Sequence, residues 1–547
     1  MEYSSIQLND LPDEILIYIF KKLSNGEILY SLSGVNKRLN KIVHDSIFTN
    51  DLSLLMSTSD GLVYSLSDLI LDRFYSHILP KIHQKIQWLH LESLSMERIL
   101  NVTNYPNLYG ISLHNIQEKK AIDLFTNETS IIRKLNNQLL SFTIDISTDR
   151  TQDYLINNNA IIFNRIFTMF PNLQYLNFGR SSIYDERLSF GLRALTVIST
   201  NLLELHVYLD SFFDCLYLLD GDFNQLHTLY VDLSVIGHLN RRRVNNIKKL
   251  PNLKYFWLHC KRRTFVYDEL VLPLLQRMSN LEKLDLYINV GKRKTLFDGN
   301  DLKMNIINYM SQLNKFTFNI CSLSDFYNEI NLQSNEYIQK TFSNFNNKQF
   351  IYWSDYFPKE KQGYFHIYSY PYQLKYYNKI TNNFPGGIFI NVREVSLHDE
   401  RPFEHEFFLR IAESFPFMEE LTIRNDEQQI NKQFRKSKNE YQDLSIIKYP
   451  YLKKLDLIYT CIDYYEQFLF DTKMDLGFGV RVCMMYVLVN KVTHNFTRNR
   501  TRNNCAKINY VNLRTGIQYA GYPDKFSGEQ QQIPEYIKDY FPNTQID

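Results

Sequence analysis

A six-residue phrase recurs along the chain: an apolar residue, two variable ones, an apolar residue, one variable, another apolar. It is spelled out at Leu173-Gln174-Tyr175-Leu176-Asn177-Phe178. It returns as Leu202…Leu205…Val207, Leu226…Leu229…Val231, Leu253…Phe256…Leu258, Leu281…Leu284…Leu286 and Leu313…Phe316…Phe318. Weaker copies begin at Ile86, Leu108 and Leu139. The steps between successive starts run from 22 to 34 residues, with a mean of about 28, a spacing that marks stacked repeats. Each phrase closes on apolar-x-apolar, the period of a strand with one buried face. The segments between phrases often read as helices, as at 158–170 and 267–278. One strand and one helix cannot enclose a core alone, so such units must stack. The spacing predicts an α/β fold: a curved solenoid with a parallel inner sheet and outer helices.

The phrase resembles the leucine-rich repeat over about residues 81–475. The match is irregular. The family's polar ladder residue after the strand falls on Asn289 and Cys321, but other copies hold Ser181, Asp210 or Lys261 there. Further copies begin at Val392, Met418 and Leu452. Between Leu313 and Val392 lie 79 residues, room for roughly two degenerate units at this period. The Tyr- and Phe-rich alternation from Tyr364 to Tyr370 is a candidate strand in that insertion at 322–391, and Pro385-Gly386-Gly387 marks a turn. Residues 476–547 lose the phrase, as a terminal cap does.

The N-terminus follows a different period. Leu11-Pro12-Asp13-Glu14 leads into Ile15, Leu16, Ile19, Phe20 and Leu23, one apolar helical stripe. Proline suits a first helical turn, and the acids suit the positive end of the helix dipole. Gly26 breaks the pattern, 27–32 allows a second helix, and Val35, Leu39, Ile42 and Val43 form a third stripe. Leu11, Ile17 and Ile28 fall off the inward stripes. That surplus fits either a partner or packing on the chain that follows. The order Leu11-Pro12-Asp13-Glu14-Ile15-Leu16, Ile19-Phe20, Leu23, Val35-Asn36-Lys37-Arg38-Leu39 and Ile42-Val43 resembles an F-box. The resemblance implies a three-helix module at 6–50, followed by a helical linker at 51–80, that docks on a Skp-type adaptor of a cullin–RING ligase. It implies adaptor contact at Leu11, Pro12, Ile15, Ile19, Val35 and Leu39. Phe48 stands near where such modules often carry tryptophan.

Composition limits the alternatives. The chain is 44% hydrophobic with a net charge of +2, which argues for a sizeable core and gives no reason to expect nucleic-acid or membrane binding. Six cysteines are scattered without metal-ligand or disulfide-framework spacing, as in a cytoplasmic or nuclear protein. No secretory leader is read at the start. The apolar stretch 480–489 contains Arg481 and is too short to span a bilayer.

No phosphate loop, nucleophile elbow or paired zinc motif stands out. His206, His227 and His259 belong to different repeats, and Cys260 points away from its neighbour His259. No catalytic residue, metal or cofactor is therefore expected. If the phrase's apolar positions face inward, the variable ones form the concave surface. Tyr208, Tyr230, Tyr255, Trp257 and His259 become candidate substrate contacts, with His206, Asp232, Asp285 and Tyr287 beside them. Large rings suit recognition surfaces. Basic runs at 241–243, 261–263 and 292–294 read as a solvated face, an import signal or a ridge for acidic partners. Together the two resemblances imply a non-catalytic substrate receptor of a cullin–RING (SCF-type) ubiquitin ligase. A protein-interaction scaffold without ubiquitination is the alternative, and a hydrolase with an irregular site is a third.

Overall fold

The computed structural model describes residues 8–58, 63–126, 130–147, 158–180, 187–191, 199–220, 223–237, 250, 252–291, 293, 297–325, 335–343, 350–430, 445–514, 537–542 and 544–546. Two compact units emerge: Met1–Gly291 with Asp301–Ile320, and Lys292–Asn300 with Cys321–Asp547.

The first unit opens with four short helices, α1 (Asp13–Phe20), α2 (Asn25–Leu32), α3 (Lys37–Val43) and α4 (Ser46–Thr49). Ser24 and Glu27 form a reciprocal cap on α2, and the Asn36 side chain accepts from the Leu39 amide to start α3. Leu16, Phe20, Ile28, Leu29, Leu39, Ile42, Val43 and Phe48 are buried. Phe48 meets Phe20 edge to face at 6.4 Å, so phenylalanine closes this small core.

Strands follow at β1 (Asp51–Ser53), β2 (Leu55–Ser57), β3 (Val63–Ser65), β4 (Trp88–Glu92), β5 (Gly110–Gln117), β6 (Ser141–Ser147), β7 (Tyr175–Arg180), β8 (Glu204–Ser211), β9 (Thr228–Val235), β10 (Tyr255–Thr264), β11 (Lys283–Val290) and β12 (Lys315–Asp325). β2 and β3 form an antiparallel pair. The sheet of this unit runs β1-β4-β5-β6-β7-β8-β9-β10-β11-β12, and every pairing from β1 to β11 is parallel. β1 lies inside the stretch expected to be helical. At three residues it is too short to show a period.

The recurring phrase sets the register. Leu89, Ile111, Phe142, Leu176, Leu205, Leu229, Phe256 and Leu284 stand opposite one another across successive strands. All are buried, each contributing roughly 1.5–3 kcal/mol. The segment before β7 forms the expected helix at Asn159–Met169, whose Phe163 meets Phe178 of β7 at 5.5 Å.

A second regularity joins the turns. The side-chain amides of Asn107, Asn172, Asn201 and Asn252 donate to the carbonyls of Gln84, Asn137, Pro171 and Asn224, at 2.6, 3.1, 2.9 and 2.6 Å. Each asparagine immediately precedes a phrase, and each carbonyl stands two residues before the preceding strand's phrase. The bonds satisfy turn carbonyls that the sheet ladder does not reach. At the other end of β11, Asn289 donates to the Lys261 carbonyl at 2.6 Å.

In the second unit a helix at Asn335–Thr341 precedes an antiparallel hairpin, β13 (Phe350–Phe357) and β14 (Gln362–Ser369). The alternation at 364–370 thus falls on a strand, β14, which pairs antiparallel with β13. β14 is buried at nearly every position, because aromatic side chains fill both of its faces. Gly386 and Gly387 adopt φ of +83° and +129° in the expected turn, a region open to glycine.

The strands after the hairpin are β15 (Tyr376–Ile380), β16 (Glu394–His398), β17 (Glu420–Asn425), β18 (Ile447–Lys448), β19 (Lys454–Thr460), β20 (Met474–Asp475), β21 (Val480–Met485), β22 (Ile508–Arg514) and β23 (Gln545–Ile546). They form a parallel sheet ordered β15-β16-β17-β19-β21-β22-β23, with β18 paired to β20. Val395, Leu421, Leu455, Val482 and Val511 align across it, so the pattern runs into residues past 475. Asn391 donates to the Tyr372 carbonyl at 3.3 Å, the same offset as the ladder of the first unit.

Candidate interaction surfaces

At the N-terminus, the helical stripe divides. Residues one position apart on a helix are turned by about 100°. Leu16 and Phe20 enter the core, while Ile15, Ile19 and Leu23 point outward at 46, 39 and 52% exposure. Val35 joins them at 58%. It follows Gly34, whose φ of +90° turns the chain between α2 and α3 and whose amide donates to Asn40 Oδ1 at 2.6 Å. Pro12 caps α1 and is exposed, and Leu11 is half-buried. Arg38 ties both ends of the bundle together: its Nε donates to Asp13 Oδ1 at 2.8 Å and its Nη2 to the Leu11 carbonyl at 2.5 Å. An exposed ion pair adds little stability. Its effect here is to fix how the lead-in leaves α1.

Two expectations at this surface change. Ile28, expected to be surplus, is buried. Leu39, expected to touch a partner, is 2% exposed. The Asn36 cap sets the phase of α3 so that Leu39, Ile42 and Val43 share the inward stripe; Leu39 shapes the surface from beneath.

The second surface is the variable face of the first unit's sheet. Across β7 to β11 its residues align in three rows. The first row holds Tyr175, Glu204, Thr228, Tyr255 and Lys283, and the second Asn177, His206, Tyr230, Trp257 and Asp285. The third, from β8, holds Tyr208, Asp232, His259 and Tyr287. Phe256 and Leu258 are buried and Trp257 between them is half-exposed, so Trp257 lies on the face the alternation assigns it. Tyr208, Tyr230, Tyr255 and His259 are half-exposed there too. Asp285 and Tyr287 are buried.

The rings run together. Tyr175 and His206 stand 5.3 Å apart, His206 and Tyr230 3.9 Å, Tyr230 and Tyr255 4.9 Å, Tyr230 and Trp257 5.9 Å, and Trp257 and Tyr287 5.8 Å. Carboxylates lie among them. Asp232 Oδ2 bonds to His259 Nδ1 at 2.6 Å, and Oδ1 accepts from Arg187 Nη1 at 2.6 Å. Burial pushes Asp232 up, yet these two partners outweigh it and hold its carboxyl below the usual range. Asp285 Oδ2 accepts from the Tyr255 hydroxyl at 2.6 Å. Burial and that carboxylate raise the Tyr255 phenol. His206 Nε2 meets Glu204 Oε1 at 2.6 Å, and burial holds the imidazole below its ordinary value despite the carboxylate. Sequence alternation located the rings. It gave no sign of Arg187, which reaches this face from another segment.

Other sequence candidates separate. Cys260 is buried and burial raises its thiol to about 11, far from a reactive thiolate near neutral pH. Lys261, Arg262 and Arg263 are exposed at the end of β10. Residues 241–243 lie outside the described residues. Arg293 is buried with its guanidinium 4.2 Å from the Phe297 ring. Among the described residues, no group of three or more His, Cys, Asp or Glu side chains is placed to hold a metal ion, and no helix is long and apolar enough to cross a membrane.

A family model described as F-box-like matches residues 8–53. No curated protein matches the chain at a significant level. The chain therefore carries an F-box-like domain at its N-terminus, and domains of that kind bind Skp-type adaptors. The match covers the four helices and reaches β1, and it includes every exposed aliphatic residue of the first surface named above.

Proposed function

We propose that this chain is the substrate-recognition subunit of an SCF-type cullin–RING ubiquitin ligase. The F-box-like helices hold a Skp-type adaptor, and through it a cullin. The body carries degenerate leucine-rich repeats that present a protein target, in the cytoplasm or nucleus. Catalysis belongs to other subunits, and this chain contributes proximity, which lowers the entropic part of the barrier. One observation carries the reading: Ile15, Ile19, Leu23 and Val35 stay exposed on a domain whose core is already filled by Leu16, Phe20, Leu39 and Phe48. Such surplus apolar surface on a small module marks a protein contact.

The Leu11-Pro12 lead-in, Ile15, Ile19 and Val35 form the adaptor side, shaped by Leu39. Tyr208, Tyr230, Tyr255, Trp257 and His259 form the target side. The test is co-purification. Intact chain should bring down a Skp-type adaptor and cullin, and a version with Leu11→Ala and Pro12→Ala should lose both while staying folded. Adaptor without cullin would favour a scaffold over a ligase subunit. Unchanged capture by the folded double variant contradicts the assignment of this surface.

A further inference from the structure

Three carboxylates stand among the aligned rings of β7 to β11, and two of them already hold a cation from this chain. Lys283 Nζ lies 3.1 Å from Asp285 Oδ2 and 3.6 Å from the centre of the Tyr255 ring. Arg187 Nη1 lies 2.6 Å from Asp232 Oδ1. The face thus pairs carboxylate with cation at Asp285 and Asp232, and at Asp285 a ring takes part as well.

Glu204 is the exception. It is bonded to His206, and among the described residues no Lys or Arg pairs with it. Its side chain is 38% exposed, far more than Asp232 or Asp285. Tyr175 occupies the adjacent place in its row on β7, and Thr228 the place on β9. The Tyr175 and Tyr230 rings stand 5.3 and 3.9 Å from the His206 ring. Burial holds the His206 imidazole below its ordinary value, which favours the neutral ring over a cation at this place. A carboxylate beside π faces is complementary to an ammonium or guanidinium group.

We propose that the variable face of the first unit takes an extended target segment bearing Lys or Arg, with one such side chain seated at Glu204 beside Tyr175, where the His206 imidazole, packed between Tyr175 and Tyr230, backs the carboxylate. Alternate side chains of an extended segment point the same way, so a basic residue at every second position can be presented to the face. The exposed Lys261-Arg262-Arg263 run at the end of β10 reverses the sign of charge there. It confines the cationic segment to the rows of rings. This assignment rests on the proposal that the same face is the target side.

The probe is a short labelled peptide alternating arginine with serine, compared with peptides carrying citrulline or glutamate in place of arginine, all added to the full chain. Citrulline keeps the shape of arginine without its charge. The arginine peptide should bind about tenfold more tightly than the citrulline one. Glu204→Gln should abolish that preference, and Trp257→Ala should weaken binding of both. An arginine preference that survives Glu204→Gln overturns the inference. So does tighter binding of the citrulline or glutamate peptide; if that binding is lost in Trp257→Ala, the face remains the recognition surface but not one for cations. Binding indifferent to both substitutions, or none by any peptide, overturns the cation site, and indifference to both removes the face itself from the target side.

Discussion

The helical face at the N-terminus and the ring-lined face of the sheet expose apolar surface in opposite ways. On the helices, bare aliphatic side chains stand out from a finished core: Ile15, Ile19, Leu23 and Val35. On the sheet, rings are half-covered by one another and interleaved with bonded carboxylates at Glu204, Asp232 and Asp285. The first arrangement suits a single complementary partner that buries aliphatic area in one step. The second carries directional bonds and fixed charge, so it discriminates among partners by polarity as well as shape. A module that always meets the same adaptor and a surface that selects a target would differ in this manner.

The comparison breaks first at α1. Ile15→Asp with Ile19→Asp should weaken adaptor binding by about a hundredfold or more, since each buried anchor is worth on the order of 2 kcal/mol. Thermal unfolding should stay where it is, because both positions face outward. Calorimetry beside a binding titration separates the two effects. A collapse of the fold would show that these residues serve the bundle, not a partner.

Leu39→Ala should behave in the reverse manner. Removing that buried side chain should cost about 2–5 kcal/mol of domain stability. Denaturant unfolding of the intact chain, read by a probe on the N-terminal helices, checks it. Weakened adaptor binding at unchanged stability would place Leu39 on the surface after all.

On the sheet, Trp257→Ala should cost target capture on the order of 2 kcal/mol, with stability changed by less than about 1 kcal/mol since the side chain is only half-buried. Cross-linking of targets by wild type and variant, with a melting curve on each, measures both. A large loss of stability with capture intact would make Trp257 part of the core.

The smallest effect belongs to the asparagine ladder. Asn172→Ala removes the bond to the Asn137 carbonyl and should destabilise the first unit by about 0.5–1.5 kcal/mol. Hydrogen exchange near β6 and β7 should rise locally. Neither surface should change its binding, because the ladder lies at the turns. An altered affinity at either one would mean that the turns position these faces.

Much of this was legible in the sequence, for physical reasons. The apolar phrase marked strand register because every copy fills the same buried place, as Leu176, Leu205 and Leu229 do. The exposed side of Trp257 followed from alternation alone. The strand at 364–370 was legible from its alternation, but its antiparallel partner β13 and the burial of β14 on both faces were not, because alternating residue types do not say what covers each face. The split of Ile15 and Ile19 from Leu16 and Phe20 came only from the F-box resemblance, because a broad apolar stripe does not itself say which edge meets the core. The phrase also hid its own best landmark. Pro106-Asn107-Leu108, Pro171-Asn172-Leu173 and Pro251-Asn252-Leu253 share a tripeptide that announces three of the ladder bonds, while Thr200-Asn201-Leu202 forms its bond without the proline. Arg187 was invisible, since its carboxylate partner Asp232 lies 45 residues away in sequence.

The central claim is that residues 8–53 recruit a ubiquitin-ligase adaptor to a target-binding body. The direct measurement is quantitative co-purification from cells, comparing intact chain with one lacking that segment and with the Ile15→Asp, Ile19→Asp variant. The account predicts a Skp-type adaptor and cullin with the intact chain only, and target proteins retained by all three. Equal recovery of adaptor and cullin by all three, or recovery by none, would contradict it.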